Sequence, residues 1–550
     1  MNRDIEQTME YHEATKHSEV SVQLSHHYLD WDNKPLPFKV YTKSPTIIPL
    51  PQDFSKPRLG AFASISSVKP DKPSPTTTLD TKRLAEILFF SAGITREMKY
   101  PFGTYYMRAA SATGALYPIE LYIVCKDIIG LKAGIYHFCP GDFTLTELRL
   151  GDYRFELATA AAGDNKNIIT SPVTIVFTSI AWRNAWKYQA RSYRHWFWDA
   201  GVIAANLLAT AVSAKLPAQL IMGFVDDIVN QLLFLDVKRE VAVAMIPIGI
   251  GSAEHVPSEV KEAISPSNAP EIIPLSKKRE VEYPEIMKAY ESSKLLNNEE
   301  VKSWVKAGSI ATTTNTNNIA QDQNRVQTLG HKPLEYKEPS FPQPSLGEVI
   351  LMRGSTRRFT QAPISFTHLS NILSLSTRGV PLDFLKEDGD SIVDVYLIAN
   401  DITGLQPGSY FFNRTTNSLD QLKGNSYRSV SGYLCLNQSL FSDASVVFFL
   451  MSDLQLLLKA LGNRGYRASQ LEAGVIAGKI YLSAYAQGLG ASGSTFYDDA
   501  VTEFFSPHAK DKSTMIAVGV GIPAYKARSG KVLAGITTRT QLLKKSTYPR

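Results

Sequence analysis

Two short basic runs stand far apart in this chain and suit one anion. The first, MRGSTRRFT at residues 352–360, sets Arg353 and Arg357 on either side of Ser355, so two planar cations and a hydroxyl are offered to a phosphate or to the polar edge of a ring. The second, YKARSGK at residues 525–531, carries Lys526 and Arg528. A solvated helix turn and a charged tail have the same compositions, so neither run is diagnostic alone. Together they are candidates to close on the same phosphate. A third stretch, RAASATGALYPIELY at residues 108–122, gathers small residues around Gly114 and either lets backbone approach a flat ligand or makes a tight packing turn. A fourth, AWKYQARSYRHWFWDAG at residues 185–201, contains the adjacent pair Lys187 and Tyr188. Both are candidate acid/base groups once burial shifts their pKa.

The elements that must position these groups occur twice. Residues 119–138, IELYIVCKDIIGLKAGIYHF, match residues 393–412, VDVYLIANDITGLQPGSYFF, at a spacing of 274, and each copy reads as strand, turn, strand. AGVIAAN at 200–206 matches AGVIAGK at 473–479, and Tyr193-Arg194 matches Tyr466-Arg467, at a spacing of 273. Asp226-Asp227 then fall on Asp498-Asp499, and IPIGIG at 246–251 on IAVGVG at 516–521. Four anchors in the same order mean a tandem duplication. Helices mixed with short apolar strands, such as VTIVFTS at 173–179 and SVVFFLM at 445–451, give an α+β class. A duplicated fold predicts an intramolecular pseudo-dimer that reproduces the isologous interface of an ancestral homodimer.

The expected domains are residues 1–256 and 346–550, joined by a linker at 257–345. That linker holds TTTNTNNIAQDQN at 312–324 and the proline-rich EPSFPQPS at 338–345, which cannot bury a core, and a stretch at 285–308 with the spacing of an accessory helix.

With 550 residues, 44% hydrophobic and 20% charged, the chain has ample material for two folded cores. The net charge of +6 is thinly spread and argues against a nucleic-acid partner. Cys125, Cys139 and Cys435 fit neither a disulfide framework nor a CxxC metal site, so a cytoplasmic location is expected. No HExxH or close Cys/His cluster suggests a metal, and the polar N-terminal residues have no signal-peptide character. The apolar stretch at 200–216 is interrupted by Asn206, Ser213 and Lys215 and reads as a buried core helix, so no membrane partner is expected.

SATGALYPIELY, GLKAGIYHF, AWKYQARSYRHWFWDAG and GFVDDIVNQLLFLD together resemble the SagB/ThcOx-type dehydrogenase branch of the FMN-dependent nitroreductase superfamily. In the second copy RGSTRRF is similar to the superfamily's opening Arg-x-Ser-x-Arg-x-Phe pattern, and KARSGK to its C-terminal Lys-x-Arg. The resemblance implies two tandem nitroreductase-like domains with FMN held between them. Arg353, Ser355, Arg357, Lys526 and Arg528 would then bind FMN from the second copy, with Ser492, Gly493 and Ser494 bringing backbone N–H groups to the ring. From the first copy Ser111, Thr113, Gly114 and Leu116 would face the ring, and Lys187 and Tyr188 match the catalytic Lys-Tyr pair of azoline-oxidising members. The family's Pro-Ser-Ala-Gly turn reads Ser111-Ala112-Thr113-Gly114, and the His of its Gly-His is Val202. The second copy has Ala460 and Leu461 in place of the Lys-Tyr pair, while the first has no clear Arg-x-Ser-x-Arg. One complementary site and one dead mirror site are expected.

The implied reaction is oxidation of a small molecule or an azoline-type modified peptide. Tyr188 is the expected base and takes a proton with Lys187 assisting it, or the two exchange these roles, and a hydride passes to FMN. Two rivals remain at this point: an NAD(P)H-dependent nitro or quinone reductase, which needs no Lys-Tyr pair, and a catalytically silent flavin-binding scaffold subunit.

Overall fold

The structure, a computed structural model, describes residues 2–42, 46–66, 78–100, 103–162, 166–250, 270–308, 328–338, 343–385 and 390–544. The strand–turn–strand of the first copy is the hairpin Ile119–Cys125 and Gly134–Cys139, with Tyr122 opposite His137. Its repeat is Asp394–Ala399 and Gly408–Asn413, with Tyr396 opposite Phe411. These strands are buried along their whole length, which explains the near-continuous apolar runs in place of polar alternation.

Each hairpin is the middle of an antiparallel sheet. In the first copy Val173–Ile180 pairs with Ile119–Cys125 and carries Glu240–Ile248 on its other side; in the second, Val446–Asp453 and Lys512–Gly521 take the same places. The second sheet gains an edge strand, Gly490–Ser494, where the first has only isolated bridges at Ala218 and Ile221. One of the stretches expected at the site is therefore a strand in one copy alone.

The two long helices, Ser192–Ser213 and Arg464–Ala486, join the copies. Gly201 and Gly474 meet at their crossing: a Cβ on Gly201 would lie 2.5 Å from the Leu471 carbonyl oxygen, and one on Gly474 would lie 2.6 Å from that of Trp198. The first helix is long and apolar enough to cross a membrane by composition, but 94% of its most apolar window is buried within the protein. Its polar Asn206 donates to the carbonyls of Phe90 and Ala109, at 3.1 Å each.

A pair of buried ion networks flanks the crossing. Asp498 of the second copy accepts from Arg191 at 2.9 Å and Arg194 at 2.7 Å of the first; Asp226 of the first accepts from Arg464 at 2.6 Å and Arg467 at 2.7 Å of the second. Loss of one partner from such a buried pair costs about 3–5 kcal/mol. Each network is completed by an N-terminal arm. Arg194 also donates to the His12 carbonyl and the Thr15 hydroxyl, and Arg467 to the Tyr290 carbonyl and the Ser293 hydroxyl.

The helical spacing read over residues 285–308 thus resolves into a helix, Pro284–Ser292, and further helical residues at 298–308. The first of these plays the part that Glu6–Ala14 plays for the other copy, and Lys288 reaches Glu10 at 2.8 Å between them. The polar run at 312–324 lies outside the described residues.

Candidate active site

A cavity of about 1230 Å³ lies between the copies and brings most of the predicted groups together. Arg353, Ser355, Arg357, Arg528, Ser492, Gly493 and Ser494 line it from the second copy, and Ser111, Thr113, Gly114, Lys187 and Tyr188 from the first. Two predicted residues are not in its wall. Leu116 is buried in the hydrophobic core, and Lys526 points outward from an exposed segment in which Lys531 lines the cavity instead.

The basic wall is held by its own backbone. Ser345 and Glu348 cap each other at the start of helix Leu346–Met352, which ends where Arg353 turns to extended backbone. The carbonyls released there are taken by a first-copy residue, Arg96, whose guanidinium donates to Leu351 at 2.9 Å, Met352 at 3.0 Å, Arg353 at 2.7 Å and Arg528 at 3.3 Å. One arginine thus ties the two basic runs together. Arg353 reaches back, donating to the carbonyls of Ala109 at 2.9 Å and Arg108 at 2.8 Å. It is buried, it has no carboxylate partner among the described residues, and burial lowers its pKa. A buried guanidinium satisfied only by neutral carbonyls at a cavity wall fits an anionic ligand.

On the opposite wall, Lys187 and Tyr188 end the helix Ala181–Tyr188, and Gln189 turns the chain with a positive φ of 49° into the long helix. Gly114 lies against the phenol. It has a φ of +61°, and a Cβ there would stand 2.7 Å from the Tyr188 hydroxyl. Asp199 fixes the same turn, accepting from the Thr113 amide and hydroxyl at 2.8 Å each. Burial pushes the Asp199 carboxyl up to about 7. His195 packs edge-on to Tyr188 with centroids 4.6 Å apart, and neither of its buried ring nitrogens has a partner among the described residues.

Burial pushes Tyr188 well above the ordinary phenol value, and the charge of Asp199 adds to this. Lys187 moves the other way, lowered first by burial and then by the charges of Lys34 and Arg357. Burial and neighbouring charge thus move the two groups in opposite directions, the amine down and the phenol up. Across the cavity the Gly493 amide donates to the Tyr481 hydroxyl at 2.5 Å, so it is engaged within the protein.

In the corresponding region of the other half, residues 2–3 and 383–384 make contacts of their own. Leu461 stands in the place of Tyr188 and is buried, while Asn2 and Arg3 bond the carbonyls of Leu461 and Ala460. Asp383 accepts from the amides of Met222 at 3.0 Å and Gly223 at 2.8 Å, next to Phe224, the repeat counterpart of Phe496. Phe384 packs on Trp304 with centroids 4.9 Å apart. Arg96, Asp199, His195, Lys531 and Tyr481 are not singled out by the sequence; His195 and Asp199 have a signal, lying within the run that carries Lys187, and Lys531 ends the run that carries Lys526 and Arg528.

Residues 67–250 and 350–522 each match the Nitroreductase family. The chain belongs to the nitroreductase family. That membership makes it an oxidoreductase of the nitroreductase superfamily, with the family domain present twice. A crystal structure of a nitroreductase from Anabaena variabilis shares the fold at a TM-score of 0.72 and 23% identity, over 94% of this chain and 99% of that one. A Methanocaldococcus jannaschii protein named as a nitroreductase is 24% identical over 174 residues, which are 32% of this chain and 82% of the relative. The trifolitoxin-processing protein TfxB of Rhizobium leguminosarum bv. trifolii is 28% identical over 149 residues, 26% of this chain and 40% of that relative.

Proposed function

We propose that this chain is an FMN-dependent dehydrogenase or oxidase of the SagB/ThcOx type, with one flavin site per chain between domains at 1–256 and 346–550. The observation that carries this reading is the cavity in which the Lys187–Tyr188 pair of one copy faces the Arg353–Ser355–Arg357 run of the other. A phosphate fits the second-copy wall, where the buried, carboxylate-free Arg353 stands with Ser355, Arg357, Arg528 and Lys531. The small-residue turn at residues 111–114 lines the same cavity, where a flat ring can lie against it. Asp383, seated on the Met222 and Gly223 amides, supports a mirror site closed by the chain itself.

When bound, FMN would supply hydride acceptance and, with oxygen or another acceptor, the removal of both electrons. What falls to the chain's own residues is the other hydrogen of the substrate, taken as a proton by a side chain. The lowered Lys187 amine suits the proton better than Tyr188, whose raised pKa keeps it a hydrogen-bond donor, so of the two assignments left open by the sequence Lys187 as base is the one supported. Asp199 holds the Thr113–Gly114 turn that seats the phenol. The relative named for trifolitoxin processing supports a modified-peptide substrate; a small molecule is the other class considered.

The test is to count flavin released from purified protein against chain, then assay Lys187→Met and Tyr188→Phe on azoline-containing peptides and on nitroaromatics with NAD(P)H. One FMN per chain, with azoline oxidation lost in both variants, is the expected result. Two FMN per chain refutes the closed mirror site, and nitroreduction as the only activity, untouched by either substitution, refutes the dehydrogenase reading.

A further inference from the structure

Most large apolar side chains of this chain are buried, but one first-copy hairpin leaves several open at the mouth of the cavity. Strand Ile94–Tyr100 pairs with Gly103–Arg108, and Met98 stands opposite Tyr105. Alternation along the two strands puts Met98, Tyr100, Tyr105 and Met107 on one face. Met98, Tyr100 and Met107 line the cavity, and Met98 and Tyr100 are 39% and 42% exposed. Tyr100 packs edge-on to Tyr105 with centroids 5.4 Å apart, and Lys34 lies over Tyr105 at 4.1 Å and over Trp31 at 5.6 Å. Trp31, itself exposed, packs on Trp186, the residue before Lys187, at 5.3 Å. The exposed face thus runs from the cavity mouth to the end of the helix that carries Lys187.

The hairpin is anchored on the second copy. At its base the carbonyls of Thr95 and Ile94 accept from the amides of Lys531 at 2.8 Å and Leu533 at 3.2 Å, and Arg96 donates to the carbonyls of Leu351, Met352 and Arg353. It also has no counterpart in the repeat. The stretch between the same helix and strand is residues 93–118 in the first copy and 378–393 in the second, where it carries no strand among the described residues and supplies Asp383 and Phe384 to the mirror region instead.

Apolar surface left open beside a cavity is stabilised when a ligand covers it. The charges next to the face are Lys34 and Lys187, neither of which has an ion pair among the described residues, and Lys99, which meets Glu97 at 3.6 Å. A basic group is repelled there, and an uncharged ring is not.

We infer that this face is a specificity element of the active site: it receives the residue next to the heterocycle of a modified-peptide substrate and selects an aromatic or large aliphatic side chain over a basic one. This assignment rests on the azoline-oxidising reading of the cavity, in which a heterocycle placed at Lys187 leads its flanking residues out past Met98 and Tyr100.

The experiment uses FMN-loaded protein and three short peptides that carry the finished, unreactive thiazole with Phe, Ala or Lys beside it. The change in flavin absorbance on titration gives each dissociation constant. The Phe peptide should bind about tenfold tighter than the Ala peptide, and the Lys peptide should bind weakest. In the double variant Met98→Ala, Tyr100→Ala the Phe preference should fall to about threefold or less with FMN content unchanged, while Tyr100→Leu, which keeps an apolar side chain, retains most of it. Equal binding of the Phe and Ala peptides to the wild type, a Phe preference that survives the double substitution, or binding of none of the three overturns the inference. So does a concentration-dependent dimer that the double substitution abolishes, because a second copy then covers the face. The thiazole is not turned over, so the two failures separate: a wild type that oxidises azolines but binds all three peptides alike strikes this assignment alone, whereas a wild type that oxidises no azoline strikes the reading beneath it.

Discussion

Replacing Arg96 by methionine should empty the cofactor cradle without unfolding the protein. The arginine donates four hydrogen bonds to carbonyls at the end of helix Leu346–Met352 and at Arg528, between 2.7 and 3.3 Å. Hydrogen bonds from a charged donor contribute about 1.5–3 kcal/mol each when nothing replaces them. Arg96 is only half-buried, so water takes over part of its work and about 2–4 kcal/mol is the expected total. Those carbonyls fix the turn that aims Arg353, so the loss should fall on ligand affinity. It corresponds to a dissociation constant for FMN raised about thirtyfold to a thousandfold. Titration of flavin-free protein, followed by quenching of flavin fluorescence, measures it; Arg96→Lys, with one compact ammonium in place of a planar fork, should fall between. An FMN affinity within threefold of wild type, with the melting temperature unchanged, would show that Arg96 does not shape the cradle.

Gly114→Ala should bind FMN yet lose turnover by about a hundredfold, because the added methyl displaces the Tyr188 hydroxyl from 2.7 Å and an αL alanine costs about 1 kcal/mol; kcat beside flavin content checks it. Asp199 has its folded pKa raised to about 7 from an unfolded value near 4, so its contribution to stability is fully present below about pH 4 and lost as pH rises to about 7. Denaturant midpoints at pH 5 and pH 8 should therefore differ less in Asp199→Asn than in wild type, and an equal difference would mean that the carboxyl is already charged at pH 5. Asp383→Ala strips two amides of their acceptor and should lower stability by about 1–3 kcal/mol while flavin stays at one per chain; a second equivalent of FMN would mean that the carboxylate alone had kept the mirror site shut.

The sequence made the repeat legible because strands and helices that pack against the same neighbours keep the same apolar pattern; the hairpins at 119–138 and 393–412 preserved theirs nearly residue for residue. The basic runs and the Lys187–Tyr188 pair were legible as types in order. What escaped was set by tertiary contact. Arg96 belongs to no motif in the sequence, and only the folded chain brings it to the end of a helix about 250 residues away. The helix Pro284–Ser292 shares with Glu6–Ala14 only Met287 for Met9 and Glu291 for Glu13, too little to mark it as part of the repeat. The direction in which Tyr188 is perturbed depends on burial, which composition does not report. Leu116 was assigned to the site by its place in a motif, while the turn at Gly114 sends its side chain to the core.

The crossing at Gly201 and Gly474 joins two halves of one polypeptide. A site shared by separate subunits disappears on dilution below their dissociation constant, whereas a tethered partner is held at high effective concentration whatever the amount of protein in solution. Covalent fusion has an inherited consequence too. In a homodimer every substitution is made on both sides of the axis, so a change that improves one role of a subunit damages the other role in the same stroke. Here each molecule carries one of each half, so a change in one leaves the other untouched.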